Sequence, residues 1–354
     1  MKLTRSTLIS ALTATVIALA GCSAGGTAAQ SSSSTAPLPA DAPALEQAYV
    51  SVVAKVLPSV VQITTDRALG SGVVFDTKGD IVTNAHVVGQ ATKFQVRLAD
   101  SPKTIPATLV GAYPPDDLAV IRLDQPPPSL HPAHFGDSTK LQVGQIVMAM
   151  GNPLGLTGSV TNGIISATGR TVTEPAESGP GATLPEIIQT SAAVNPGNSG
   201  GALVDLAGDV IGIPTLAALE PQSEGLGGAA PGIGFAIPSH VVTDIAGQLI
   251  AHDGHVVNSH RAELGVGVVT VVGPDGQPTG VGVLSVRPGG PAATAGMQAG
   301  EVITAVNNIP VQQTTELSRV LANLDPGQRV PVTLITPDGG TRTVTVALGQ
   351  LPGS

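Results

Sequence analysis

Breaks dominate this chain. With 44 glycines and 30 prolines among 354 residues, it can rarely run far without an interruption. Proline removes a backbone donor and glycine costs backbone entropy, so both work against long helices. Strand-sized apolar runs fit between the breaks, for example Ile146-Val147-Met148-Ala149-Met150 and Gly163-Ile164-Ile165-Ser166. Turns such as Lys78-Gly79-Asp80 and Ala207-Gly208-Asp209 bound them. The expected fold is mainly β, and the runs between Val73 and about Ile213 have the pattern of two small antiparallel barrels. Before them, the segment from Tyr49 opens as a short helical turn that Pro58 stops, and a strand follows over Val60 to Thr64. Residues 171–184 and 218–231 read as surface loops.

The chain begins with Lys2 and Arg5, then an uncharged apolar run from Leu8 to Ala20, closed by Leu19-Ala20-Gly21-Cys22. That run is shorter than the roughly 20 apolar residues a membrane-spanning helix needs, so it reads as an export signal. The closing tetrapeptide resembles a bacterial lipobox. Cys22 is the single cysteine of the chain and has no partner for an internal disulfide; it is the expected lipidation site, with an ordinary cleaved signal as the alternative. Residues 22–46 are Ser-, Ala- and Gly-rich and read as a flexible tether. The remainder divides into a first domain at 47–251, a polar linker at 252–261 and a second domain at 262–351. A net charge of −9 without a basic cluster argues against nucleic acid as a partner.

The chemistry concentrates in three segments. Residues 195–201 read Asn-Pro-Gly-Asn-Ser-Gly-Gly, and glycines on both sides of Ser199 permit the tight backbone that a nucleophile and its oxyanion donors need. Residues 82–88 read Val-Thr-Asn-Ala-His-Val-Val, which puts His86 at the end of an apolar, β-branched run. Asp117 stands at the mouth of Leu118-Ala119-Val120-Ile121. The order His86, Asp117, Ser199 is that of chymotrypsin-type double β-barrel hydrolases. Gly197-Asn198-Ser199-Gly200-Gly201 also satisfies the α/β-hydrolase elbow, which needs a strand before the serine and a helix after it. Pro196 and the hairpin pattern of Ala202 to Ile213 do not fit that. Asp116 is the rival of Asp117 and falls one residue out of the strand alternation. His131/His134 and His252/His255 have metal-like spacing without enough ligands, so neither a metal nor a cofactor is expected.

Together these segments resemble the HtrA/Deg family of serine proteases over roughly residues 47–350. Gly70-Ser71-Gly72-Val73-Val74, Thr83 to Val88, Asp117 to Val120, Asn195 to Gly201 and Gly232 to Pro238 carry the match. The resemblance implies a chymotrypsin-like double β-barrel followed by a small α+β PDZ domain. It makes His86 the general base, Asp117 its orienter and Ser199 the nucleophile, with an oxyanion hole from the backbone of Gly197 and Ser199, helped by Asn198. Ile213, Thr215 and Ala217, with Ile233, are expected to wall an apolar pocket for small aliphatic side chains. Leu264-Gly265-Val266 is the implied loop for a peptide carboxylate. The family further implies unfolded polypeptide substrates from the cell envelope, C-terminal peptides on the PDZ domain, a membrane anchor at Cys22 and a homotrimer contacting near Tyr49. A proteolytically silent peptide sensor or chaperone is the alternative function. The chain departs from the family at Ser191 and Pro214, where aspartate and asparagine are usual, and at Glu301 and Asn308, where aspartate and glycine are usual.

Overall fold

The computed structural model describes residues 42–66, 69–152, 158–173, 182–195, 197–219 and 229–353. Cys22 and most of the expected tether lie outside them, as do the signal segment and the side chain of Ala217. Helix α1 (Ala42–Val56) takes in residues 42–46 of the expected tether and is longer than the single turn expected. Its apolar residues Val52 and Val56 are buried, which supports the added length. A 3-10 turn over Leu57–Ser59 holds Pro58 and ends it.

Two closed six-stranded antiparallel barrels follow. The first contains β1 (Val60–Thr64), β2 (Leu69–Val74), β3 (Asp80–Thr83), the one-turn helix α2 (Ala85–Val88), β4 (Lys93–Arg97), β5 (Thr104–Tyr113) and β6 (Leu118–Leu123). The second contains β7 (Ile146–Gly151), β8 (Ser159–Thr173), β9 (Thr183–Thr190), β10 (Ala202–Val204), β11 (Val210–Leu219) and β12 (Ala229–Pro238). Strands β8, β9, β11 and β12 extend into the segments that the sequence suggested were loops.

Each barrel has its own aliphatic interior, around Val61, Ile81 and Ile121 in the first and Val147, Ile165 and Ile188 in the second. A third cluster fills the seam between them and joins Tyr113, Leu118, Met148, Val204 and Ile213 to helix α3 (Ser239–Ala251). Helix α3 buries Val242, Ile245, Ala246 and Leu249. It ends where Gly254, at φ 89°, donates to the Leu249 carbonyl at 2.8 Å.

Residues 252–261 are packed rather than loose. The Gln248 side chain accepts from the N–H groups of Val257 and Asn258 at 3.0 and 2.7 Å, and Ser259 donates to the Leu351 carbonyl at 2.7 Å. Short strand β13 (Ala262–Glu263) pairs with the C-terminal β20 (Gly349–Gln350). Between them come β14 (Val266–Val272), β15 (Pro278–Val286), α4 (Pro291–Thr294), β16 (Val302–Val306), β17 (Ile309–Pro310), α5 (Thr314–Leu321), β18 (Arg329–Ile335) and β19 (Thr341–Ala347). The main sheet runs β14-β15-β16-β18-β19, so β14 is an edge strand. Leu317 and Val320 of α5 close a separate core over Val281, Ile303 and Val332. This is the α+β domain expected after the barrels.

Candidate active site

The first barrel brings His86 and Asp117 together by register. Asp80 pairs with Arg122 and Thr83 with Ala119, so the end where β3 exits is the end where β6 enters. The Arg122 guanidinium grips the fully buried Asp80 carboxylate through two bonds of 2.7 and 2.8 Å, which fixes that register. Asp117 sits at φ 50°, after a 3-10 turn over Pro114–Asp116. Its carbonyl accepts from the Ala85 N–H and the Asn84 side-chain amide, both at 3.1 Å. Its buried carboxylate accepts from the His86 N–H at 2.9 Å and meets His86 Nδ1 at 2.8 Å. Asp117 thereby holds both the backbone and the ring of His86.

Asp116 points elsewhere. Its carboxylate is paired with Arg261 from the interdomain segment, and burial raises its pKa, opposed by that arginine.

The second barrel supplies Ser199 and Thr215. Thr215 donates from its hydroxyl to Asp117 Oδ2 at 2.5 Å, and its carbonyl accepts from the Ser199 hydroxyl at 3.3 Å. One residue thus links the carboxylate to the serine. Expected in the pocket wall, Thr215 is 3% exposed and spends its hydroxyl on the carboxylate instead. Thr215 touches Asp117 through a contact that the sequence does not supply. A polar residue inside an apolar strand was the one available signal.

The loop before β10 turns on glycines. Gly197 has φ 107° and Gly200 φ 78°, values that side-chain-bearing residues rarely adopt. A Cβ on Gly200 would lie 2.3 Å from the Ser71 carbonyl and 2.4 Å from Thr83 Oγ1. The Asn198 carbonyl accepts from Gly201 N–H at 3.0 Å, which turns the Ser199 N–H of the same peptide plane the other way. Among the described residues, neither the Gly197 nor the Ser199 N–H has an acceptor within hydrogen-bond reach. Asn198 corrects an expectation. Its amide is turned back into the loop, accepting from Asn195 N–H and donating to the Ala193 carbonyl, both at 3.0 Å, so it is not an additional donor for an oxyanion.

Of the remaining expected pocket residues, Ile213 is wholly buried in the seam core, where it presents no surface to a ligand, and Ile233 is half-buried at its margin. His134 pairs with Asp209 at 3.0 Å, and no group of three or more metal-ligating side chains converges among the described residues.

Residues 70–213 match the trypsin-like peptidase domain and residues 282–336 the PDZ domain. Serine protease PepD of Mycobacterium tuberculosis is 39% identical over 313 residues, which cover 84% of this chain and 65% of that protein. A probable periplasmic serine endoprotease, DegP-like, of Brucella suis is 41% identical over 273 residues, 75% of this chain and 50% of that one. The chain therefore spans between half and about two thirds of these relatives. The solved structure of HtrA-type protease AlgW with a decapeptide aligns at 31% identity and a TM-score of 0.57, over 86% of this chain and 99% of the other. The serine endoprotease from Yersinia pestis aligns at 33% and 0.57, over 86% and 98%. The chain belongs to the HtrA family of serine proteases.

In this HtrA-type chain the loop Leu264-Gly265-Val266 opens onto a cavity of about 400 Å³ lined by Gly267, Ser285, Val286 and Arg287 among others. The Leu264 and Gly265 carbonyls accept from Ala292 N–H and Arg287 N–H, both at 2.9 Å. Planarity then turns the N–H groups of Gly265 and Val266 away from those partners. A larger cleft, about 580 Å³, lies where α3, β9 and residues 259–261 face the end of α5. The residues that depart from the HtrA pattern are each held by local contacts, and nothing in the structure explains a proline at 214. Ser191 Oγ accepts from Ile164 N–H at 3.0 Å and closes the β8–β9 edge. The Pro214 carbonyl accepts from Gly200 N–H at 3.0 Å. Glu301, 3% exposed, accepts from Arg342 and from Gln298 N–H, both at 2.8 Å. Asn308 sits at φ 63°, a left-handed turn that asparagine tolerates.

Proposed function

We propose that this chain is a serine endopeptidase acting on unfolded polypeptides outside the cytoplasm. The observation that carries the proposal is the linkage from the His86 ring through the Asp117 carboxylate to Thr215, whose carbonyl holds the Ser199 hydroxyl. In the reaction, the Ser199 hydroxyl leaves Thr215 and turns to the imidazole. His86 takes its proton as Oγ bonds to the scissile carbonyl carbon, and the carbonyl π pair moves onto oxygen. The N–H groups of Gly197 and Ser199 receive that oxyanion. Its collapse breaks the C–N bond, His86 returns the proton to the departing amine, and water repeats the sequence to free the acyl group. Asp117 keeps the Nδ1 proton in place and stabilises the imidazolium.

Two relatives support the peptide substrate and the compartment: a protease solved with a decapeptide, and a DegP-like protein described as periplasmic. The apolar leader ahead of Cys22 agrees with export, and a lipid on that cysteine is the proposed membrane anchor. The outward N–H groups of Gly265 and Val266 suit a peptide C-terminal carboxylate, with the peptide backbone adding alongside edge strand β14. Binding there is the proposed means of regulation.

The test is covalent labelling of Ser199 by a fluorophosphonate, together with cleavage of unfolded casein. Prompt labelling is expected, and Ser199→Ala is expected to lower turnover by about 10⁶. Casein cleavage by Ser199→Ala at the wild-type rate would refute the assignment. A wild-type protein inert to the probe, yet binding C-terminal peptides, would favour the silent-sensor reading, which the resting bond from Ser199 to Thr215 motivates.

A further inference from the structure

Ser71 belongs to the Gly70-Ser71-Gly72 segment of β2, on the first barrel, and the reaction above gives it no part. It is fully buried, and each of its polar groups is engaged. Its N–H donates to the Ser199 carbonyl at 3.0 Å. Its hydroxyl donates to the Gly197 carbonyl at 2.6 Å and accepts from Asn152 N–H at 2.8 Å. Its carbonyl accepts from the Thr83 hydroxyl at 2.7 Å. Gly197, Ser199 and Asn152 all lie on the second barrel.

Strand alternation explains the triplet. Gly70 and Gly72 share one face of β2 and Ser71 takes the other. A Cβ on Gly70 would lie 2.6 Å from Val87 Cγ1, beside His86 in α2, and one on Gly72 would lie 2.6 Å from Ile81 Cγ2. The glycines therefore let the His86 helix and the barrel interior pack against β2. The serine between them faces the loop that carries the nucleophile.

We infer that Ser71 is a positioning residue that sets the oxyanion hole from across the barrel seam. Carbonyl and following N–H share one rigid plane and point in opposite directions. Ser71 holds the carbonyl end of the Gly197–Asn198 and Ser199–Gly200 planes. Their N–H ends are held by the carbonyls of Asn195 and Pro214, at 3.1 and 3.0 Å. With both flanking planes fixed at each end, the Asn198–Ser199 plane between them cannot rotate independently. That plane carries the Ser199 N–H. The side-chain bond from Ser71 is the only one of these anchors that a point substitution can delete without changing the loop itself.

This role rests on the hydrolase reading, and the experiment separates the two. Wild type, Ser71→Ala, Ser71→Cys and Val96→Ala (a core truncation in the same barrel) are titrated with a fluorophosphonate, so that rates are expressed per reactive serine. They are then compared on a fluorogenic peptide and on a peptide boronate, whose tetrahedral adduct places an oxygen in the hole. Ser71→Ala is expected to label slowly but stoichiometrically, with kcat about 100-fold lower, KM within about threefold, and boronate affinity falling in step with kcat. Ser71→Cys, which keeps a weak donor in nearly the same volume, is expected to fall between it and wild type and serves if the alanine variant does not fold. Unchanged kcat per reactive serine in Ser71→Ala would overturn the inference. A loss confined to KM, or an equal loss in Val96→Ala, would overturn it as well. Wild type that fails to label would instead remove the hydrolase reading, and this role with it.

Discussion

Thr215 performs two tasks through two atoms. Its hydroxyl completes the set of donors around the Asp117 carboxylate, and its carbonyl parks the Ser199 hydroxyl at rest. Hydrogen bonds to charged groups contribute about 1.5–3 kcal/mol, so Thr215→Val should lower kcat/KM by ten- to a hundredfold while leaving the resting bond to the main-chain carbonyl. Steady-state kinetics alongside thermal unfolding checks this; an unchanged kcat/KM in a folded variant would contradict it. The sequence could not show the pairing, because 98 residues separate Thr215 from Asp117 and nothing local ties them. The opposite holds for His86 and Asp117. Each closes or opens an apolar run, and one barrel register brings both to the same end. For Asn198 the sequence misleads for a physical reason: an amide beside such a serine suggests a donor, whereas the tight loop uses that amide to satisfy its own backbone.

At the level of elements, α3 is the piece that follows the second barrel in sequence and packs on the first. Gly254 just past its end lies so close to β5 that a Cβ on Gly111 would meet the Gly254 Cα at 2.5 Å. Leu249 is fully buried in the seam core, and Leu249→Ala should cost about 3 kcal/mol, read as a lower urea midpoint with an unchanged slope. A loss under about 0.5 kcal/mol would mean that the helix is not anchored through this residue. Val242, Ile245, Ala246 and Leu249 recur at helical spacing, but that spacing does not name the surface they cover. Helix α1 is longer than its sequence suggests because Pro58 marks where it stops and no comparable signal marks its start. The barrel strands outrun their sequence signals because glycines and prolines punctuate them: β11 continues through Pro214, and β12 through Gly232 and Gly234.

For the whole molecule, Arg261 is a residue at which the parts meet. It pairs with Asp116 next to Asp117 on the first barrel, donates to the Thr183 carbonyl of β9 on the second at 2.6 Å, and leads directly into the PDZ strand β13. Composition announced a polar linker here. Only the fold reveals that its arginine is spent on a buried carboxylate. Arg261→Met should cost about 3 kcal/mol near pH 7, because it strands that charge. Burial raises the Asp116 pKa, and a carboxylate raised in the folded state contributes stability below its unfolded pKa that is lost as pH rises through the folded value. Removing Arg261 takes away the opposing influence and raises the pKa further. The deficit of the variant should therefore shrink as pH falls from about 7 to about 4, which urea unfolding at both values tests. A deficit independent of pH would detach the effect from Asp116.

The two barrels each keep a private interior, while the reacting groups are shared between them like the halves of a clasp. Catalytic competence is then a matter of alignment rather than of folding. A slip of a fraction of an ångström between two intact bodies could disarm the serine with every strand pairing preserved. An enzyme built this way can be held quiet, and released, at far smaller energetic expense than unfolding either half.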